Sequence, residues 1–506
     1  MNRQKFLEKI LTARVYDVAR ETPLDSMARI SQRYNNHIWL KREDLQLIFS
    51  FKLRGAFNKI YQITCTHPEL RGVITASAGN HAQGVALAAG KLGLQATIVM
   101  PTTTPDIKCA AVKPYGAKTI LQGDNFDAAR AYALQMAEQK QLAFIDPYDD
   151  YDVMAGQGTI AHEIIRQHPT HIDAIFVPVG GGGLAAGITG FIKSVKPEIK
   201  IIAVEPDDAA CLAEAIKAGR RVTLKDVGIF ADGVAVKQIG KHTFAMLKNS
   251  VDEVITVTTD QICAAIKDTF EDTRAICEPA GAVSLAGLKK YIENHHIEKQ
   301  TLIAINSGAN MNFDRLRHVS ERAELGEQRE ALLAVQIPER PGSFKQFCQI
   351  IGKRQITEFN YRYADDAVAC VFAGIQLSRG MAEKIQLIES LRARYYVVDM
   401  TDNEVAKLHT RYMVGGHAGG SVANELLYRF QFPEKPGALL NFLTKVGRRW
   451  NISLFHYRNH GSNFGRILMG FQVEQKDHKL FHQFLTDLGI VHWKETDNIA
   501  YQLFLK

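Results

Sequence analysis

The sequence has no means of building a cysteine framework. Its seven cysteines (Cys65, Cys109, Cys211, Cys263, Cys277, Cys348 and Cys370) are odd in number, widely spaced and without a C-x-x-C pair. That distribution argues against a zinc ribbon or a disulfide cage and suits reduced thiols in a cytoplasm. No run approaches the roughly 18 consecutive apolar residues of a membrane span. The first residues carry Arg3, Lys5, Glu8 and Lys9, which leaves no secretory apolar core, so no export signal is expected. The net charge of +7 is spread along the chain, and the one dense basic run, Lys289-Lys290, is soon followed by Glu293. Without a clustered basic stripe there is no nucleic-acid footprint; a diffusely basic surface favours small anions. Also missing are G-x-x-x-x-G-K-[ST] and a clean dinucleotide fingerprint, which counts against nucleotide binding.

What is present is the composition of a globular protein, 46% apolar and 23% charged, in 506 residues. At about 150 residues per domain, that length suggests roughly three domains. Over the first 320 residues, short apolar runs alternate with helical patterns. Val73 to Ala76, Ala96 to Met100, Lys118 to Leu121, Ala174 to Val179, Ile201 to Val204 and Thr301 to Ile305 read as strands. Such runs between helices predict parallel sheets covered on both faces, with ligands beyond the carboxyl ends of the strands.

The last 175 residues or so contain an internal repeat. Val335 to Phe344 (VQIPERPGSF) returns as Phe430 to Leu439 (FQFPEKPGAL), and Ile356 to Arg362 (ITEFNYR) returns as Ile452 to Arg458 (ISLFHYR). Each copy reads strand, Pro-Gly helix start, strand, strand, helix, strand, the order of a ferredoxin-like unit. The expected organisation is a catalytic region over 1–320, with a smaller subdomain at about 43–140. A linker helix over 321–331 and α+β repeats over 332–405 and 424–500 follow.

Four loops carry the chemistry. Lys52, in Ser50-Phe51-Lys52-Leu53-Arg54-Gly55-Ala56, can act as an amine nucleophile if partial burial or a cation such as Arg54 lowers its proton affinity. Gly180 to Gly183, with Leu184, join an apolar strand to a helix; glycines there let successive backbone N–H groups close on a phosphate. Thr75-Ala76-Ser77-Ala78-Gly79-Asn80-His81 makes a second strand-to-helix turn, able to hold a carboxylate or simply to cap a helix. Ser307, in Asn306-Ser307-Gly308-Ala309-Asn310, ends another strand, and its hydroxyl can meet a ring nitrogen or merely close a turn. Glu278-Pro279-Ala280-Gly281 reads equally well as an ordinary helix break.

Together these loops resemble the fold-type II pyridoxal-phosphate enzymes, and among them the biosynthetic threonine ammonia-lyase (threonine dehydratase) family. The likeness covers essentially the whole chain, including a doubled ACT-like tail. It implies two parallel-sheet α/β subdomains, pyridoxal phosphate as cofactor, and Lys52 as its covalent carrier and later the catalytic base. It puts the cofactor phosphate at Gly180, Gly181, Gly182, Gly183 and Leu184, the ring hydroxyl at Asn80 and the ring nitrogen at Ser307. Ser77, Gly79 and His81 fall in the loop that receives the substrate carboxylate, and Glu278 has a modest role. The implied reaction converts threonine to 2-oxobutanoate and ammonia, with serine a poorer substrate, as the first step towards isoleucine. The tail implies inhibition by isoleucine and relief by valine. Its candidate effector contacts are near Pro341 to Phe344, Glu358 to Tyr361, and the equivalent Pro436 and His456 regions. A cytoplasmic homotetramer is expected. Related serine racemases carry a serine where Ala78 stands, which argues against racemisation. Some relatives bind a cation through residues matching Glu205, Ala209 and an aspartate; Cys211 holds that last position, and no metal is expected.

Overall fold

The computed structural model describes residues 1–338, 343–352, 354, 356–362, 368–412, 424–433, 450–458 and 464–505. The chain divides into two compact units, Met1–Ala323 and Glu324–Lys506. Among the described residues, no helix is long and apolar enough to cross a membrane.

The first unit is built on two sheets. The larger has six strands in the order Leu24–Ser26, His37–Arg42, Thr301–Asn306, Ala174–Pro178, Lys200–Pro206 and Glu253–Val257. Only the short first strand is antiparallel to its neighbour. Its central strands are largely apolar because helices cover both faces. Ile175 and Val177 enter one core cluster, while Ala174 and Phe176 enter the other, the period-2 alternation of a strand buried on both sides. Helix Gly183–Val195 supplies Ile188 and Ile192 to the first cluster; helix Pro279–His295 supplies Val283 and Leu285 to the second. Each fully buried side chain of this size contributes about 1.5–3 kcal/mol.

The smaller sheet is parallel, in the order Lys118–Leu121, Gln95–Met100, Gly72–Ala76 and Ala143–Phe144. Its last strand lies just past the boundary at about 140 expected from sequence. A parallel return needs a crossover helix first, here Phe126–Gln139, so the strand it delivers must come later.

Between the sheets runs helix Lys52–Thr66, fixed by a buried set of charges. Arg54 is fully buried and donates through Nε and one terminal nitrogen to both oxygens of Glu43, each at 2.8 Å. Its terminal nitrogens also reach the two oxygens of Glu163, at 2.6 and 3.0 Å. Lys41 donates to Glu163 at 2.6 Å and to the Thr22 carbonyl at 2.6 Å. Thr22 donates its hydroxyl to Glu43 at 2.6 Å, and Tyr16 donates to Glu163 at 2.9 Å. Two cations and two carboxylates cancel, and nearly every lone pair finds a donor, the condition under which buried ions persist. Burial works against the charge on Arg54, and Glu43 and Glu163 overcome it.

The second unit contains two four-stranded antiparallel sheets with the same strand order. The first runs Ile356–Arg362, Val368–Gln376, Glu330–Pro338, Tyr396–Asp399, and the second Asn451–Arg458, Phe464–Gln472, Glu425–Pro433, Val491–Lys494. In both, the register slips near the start of the second strand, between Ile356 and Glu358 and between Ile452 and Leu454. A bulge at the same place in both is a mark of duplication. The sequence-based linker helix over 321–331 is corrected: the helix runs Arg315–Gly326, and the strand opens at Glu330, already paired with Gln376. Gly326 ends the helix and Gln328 turns the chain at φ 57°, a conformation that cannot continue it. Of the candidate effector contacts, Pro341 and Pro436 lie outside the described residues; Glu358 to Tyr361 and His456 are described only as strand.

Replacing Arg54 with alanine leaves Glu43 and Glu163 buried without a counter-charge and is expected to cost about 3–5 kcal/mol. Urea unfolding of the full chain checks this, and loss below about 1 kcal/mol would deny the clamp its structural weight.

Candidate active site

Lys52 opens its helix, and the preceding residues are pinned to the loop that carries Ser307. The Phe51 amide donates to the Ser307 carbonyl at 3.2 Å, the Ala309 amide to the Phe49 carbonyl at 2.9 Å, and Ser50 bridges to Gly308. Phe49 takes φ 54° at the bend, which is uncommon for a bulky side chain and imposes strain. Half-buried, Lys52 Nζ donates to the Pro147 carbonyl at 2.9 Å. Burial pushes its proton affinity down to about 8, while Asp146 and Glu278 pull the other way. Of the two causes weighed from sequence, burial is therefore the operative one. Arg54 points away into the charge cluster and is occupied there.

The glycine turn follows strand Ala174–Pro178. Gly182 has φ +92° and precedes helix Gly183–Val195, whose first amides have no intrahelical acceptor. The four glycines also admit neighbours that no side chain would. A Cβ on Gly181 would stand 2.2 Å from the Tyr148 ring, one on Gly183 2.9 Å from Tyr148 Cα, and one on Gly180 2.8 Å from Val234 Cα. Thr243 donates its hydroxyl to the Gly181 carbonyl at 2.8 Å. Leu184 is buried just inside the helix. The result is a buried glycine turn at a positive helix end, suited to a phosphate.

In the second loop, the Ser77 amide donates to the Val99 carbonyl at 3.1 Å, and the Gly79 amide donates to Ser77 Oγ at 3.2 Å. The space beside Gly79 is open, with nothing within 4 Å of an added Cβ. Free donors are left at the Ser77 hydroxyl and at the start of helix Asn80–Lys91. Asn80 donates to Glu278 at 2.6 Å and accepts from Asn310 at 2.7 Å, so one amide hydrogen stays available. Burial, with help from Asp232, pushes the Glu278 carboxyl up to about 7. The His81 side chain turns from the loop into the interior, its Nε2 against the Ile145 carbonyl at 3.1 Å. Burial and the nearby Lys52 push it down to about 3, so the ring is neutral, Nε2 carries the hydrogen, and Nδ1 has no partner among the described residues. His81 thus faces the turn through its backbone. Ser307 is buried and donates to the Ala280 carbonyl at 3.3 Å, long enough to be exchanged for a better partner.

Lys52, Asn80 and Ser307 thus share contacts at the ends of three strands, and Tyr148 joins them to the glycine turn. Sequence reasoning missed the segment that does this, Asp146-Pro147-Tyr148-Asp149. Its signal was an apolar run, Ala143-Phe144-Ile145, closed by Asp-Pro, the same strand-end pattern as the other loops. Asn310 and Thr243 were missed too, and Glu278 was undervalued. At the doubtful cation position, Glu205 accepts from the Leu212 and Ala213 amides at 2.8 and 2.9 Å, and Cys211 donates to the Gly180 carbonyl at 3.4 Å. Among the described residues, no cluster of three or more His, Cys, Asp or Glu could hold a metal.

Residues 15–308 match the family model of pyridoxal-phosphate dependent enzymes. Residues 321–410 and 417–505 each match the C-terminal regulatory domain of threonine dehydratase. The chain is 52% identical over 504 residues to a biosynthetic L-threonine dehydratase of Burkholderia multivorans, covering 99% of both proteins. It is 52% identical over 503 residues to the Escherichia coli counterpart, covering 99% of this chain and 97% of the relative. Among solved structures, the processed form of threonine deaminase isoform 2 from Solanum lycopersicum is 48% identical with a TM-score of 0.62, over 63% of this chain and 93% of that one.

Because the Gly181 Cβ position lies only 2.2 Å from the Tyr148 ring, Gly181→Ala is expected to cost about 1–3 kcal/mol by overpacking. Thermal unfolding of Gly181→Ala, Tyr148→Ala and the double variant tests the contact. The double variant should cost less than the sum of the two; strict additivity would show that the pair does not touch.

Proposed function

The chain belongs to the biosynthetic threonine dehydratase family of pyridoxal-phosphate-dependent enzymes, and on that footing we propose that it converts L-threonine to 2-oxobutanoate and ammonia at Lys52. The observation that carries this is the lysine itself: a half-buried amine of lowered proton affinity, one contact from the segment that packs on the glycine turn. The residues present fit the cofactor. Lys52 offers the amine that would bond its aldehyde, and Gly180, Gly181, Gly182, Gly183 and Leu184 would hold its phosphate. Asn80 retains an amide hydrogen for the ring hydroxyl, and Ser307 has an exchangeable hydroxyl for the ring nitrogen. When bound, pyridoxal phosphate supplies the electron sink for the charge left at the substrate Cα.

The protein groups divide the remaining work. Ser77 and the backbone of Gly79 and His81 receive the substrate carboxylate at a helix start, where the field favours an anion. The freed Lys52 amine takes the Cα proton, for which a group titrating near 8 is well matched. The β-hydroxyl takes up one proton, balancing the one that Lys52 removes from Cα, and leaves as water; the released enamine hydrolyses to the keto acid and ammonia. Ser307 is neutral, so it does not stabilise a protonated ring nitrogen as a carboxylate would. That moderates the electron sink and favours prompt elimination over reprotonation. Ala78 offers no hydroxyl for an opposite-face proton donor, which supports the same reading. Serine lacks one methyl, worth about 1–3 kcal/mol of discrimination, and is the weaker substrate.

In our reading this is the first step of isoleucine synthesis, carried out by a cytoplasmic homotetramer. Isoleucine inhibits through the two C-terminal repeats and valine relieves it. The two matches to a regulatory domain and the duplicated sheet support this part.

Three outcomes are expected. Lys52→Ala abolishes the borohydride-trapped adduct and lowers 2-oxobutanoate formation by at least the roughly 10²–10⁴-fold contribution of a positioned base; activity near wild type would refute the assignment. Isoleucine raises the apparent threonine requirement of the full chain about 5–150-fold, and an unchanged saturation curve would remove the effector from the scheme. Ser307→Asp raises racemised substrate relative to keto acid, which chiral chromatography would detect; an unchanged product ratio counts against the Ser307 role.

A further inference from the structure

The mechanism above leaves one cluster unexplained. The segment Ile145 to Asp150 touches Lys52, His81 and the glycine turn. The Ile145 carbonyl accepts from Thr75 Oγ1 at 2.8 Å and from His81 Nε2 at 3.1 Å, which fixes where the segment leaves the small sheet. Asp146 Oδ1 accepts from the Tyr148 amide at 3.0 Å and the Asp149 amide at 2.8 Å, closing a tight turn over Pro147. That turn points the Pro147 carbonyl at Lys52 Nζ, 2.9 Å away. The Tyr148 ring then covers Gly181, and Asp149 accepts from the amides of Lys241, His242 and Thr243 at 2.7 to 3.1 Å. Asp150 pairs with Lys59 at 2.7 Å, anchoring the far end on the helix that carries Lys52.

We propose that Asp146 is a positioning residue for Lys52: the turn it closes presents the Pro147 carbonyl as the acceptor that holds the lysine amine whenever it is not covalently engaged. This rests on the assignment of Lys52 as the covalent carrier. An uncharged amine has two hydrogens and one lone pair. Committing one hydrogen to Pro147 limits its rotation and aims the lone pair, which matters when the same nitrogen must take a proton and later bond again to carbon. Proline suits the position, because its fixed φ stiffens the turn and it has no amide hydrogen of its own.

The carboxylate of Asp146 also bears on the charge of Lys52. The charged and titratable groups that act on Nζ are Asp146 on this segment, neutral His81 on helix Asn80–Lys91, and Glu278 ahead of helix Pro279–His295. Arg130, on helix Phe126–Gln139, lies 3.4 Å from Asp146. Asp146 and Glu278 both favour the protonated amine, Asp146 more strongly. Removing the Asp146 charge alone should therefore let the amine lose its proton at lower pH.

The test uses full-length protein, pyridoxal phosphate and borohydride trapping across pH, with the adduct at Lys52 counted by peptide mass spectrometry. Asp146→Asn keeps the oxygen that closes the turn and removes the charge; its trapping midpoint should fall by roughly one pH unit with the plateau unchanged. Asp146→Ala also opens the turn, and its trapping rate on the high-pH plateau should fall several-fold. The proposal is overturned if both variants follow the wild-type curve, or if Asp146→Asn lowers the yield at all pH values with the midpoint fixed, as a purely structural role would give. Wild-type protein without an adduct at Lys52 would instead remove the carrier assignment, and this inference with it.

Discussion

Two buried carboxylates clamping one guanidinium decide where the reactive lysine can be. Arg54 is two residues beyond Lys52 and cannot move without stranding Glu43 and Glu163 in a dry interior. Glu43 sits just past a strand of the large sheet and Glu163 within helix Tyr151–Gln167, so the clamp locks the start of the lysine helix to both. Gly55 and Gly156 let those two helices approach closely: a Cβ on Gly156 would lie 2.7 Å from the Arg54 carbonyl. A nucleophile that must be partly dehydrated yet precisely placed needs such a frame, because a lysine side chain has ample freedom of its own.

With the helix start fixed, the loops at the strand ends can do different things with similar chemistry. The glycine turn leads into one helix start and the Ser77 loop into another, each with the positive field of a helix N-terminus. Ser307 offers a hydroxyl whose existing bond is weak enough to give up. Glu278 and Asn310 leave Asn80 little freedom to rotate, which makes its remaining hydrogen directional. Burial does two opposite jobs here. It drives the Lys52 amine towards its neutral form by lowering its proton affinity, and the Glu278 acid towards its neutral form by raising it.

The second unit follows a different logic. Its two sheets share strand order and bulge position, so each repeat carries the same framework with its own side chains. Leu333, Val335 and Ile337 line the first core, and Tyr428 and Phe430 the second. The two repeats therefore share a framework and differ in the side chains that fill it.

Much of this was legible in the linear order of residues. Apolar runs of four to six residues between helical patterns determined the parallel sheets, because a strand buried on both faces has few polar positions. The repeated Pro-Gly segments determined the duplicated α+β tail, and four glycines between strand and helix determined a tight strand-to-helix turn. The end of the linker helix was misjudged, since charged residues with apolar spacing do not reveal where a strand partner such as Gln376 will capture the chain. Only the tertiary structure decided that burial, and not Arg54, tunes Lys52, that His81 turns inward, and that Asp146 to Asp149 join the lysine to the glycine turn. The reason is physical: backbone periodicity is local and shows in sequence, whereas proton affinity and hydrogen-bond partnership depend on groups far away along the chain that folding brings within a few ångströms.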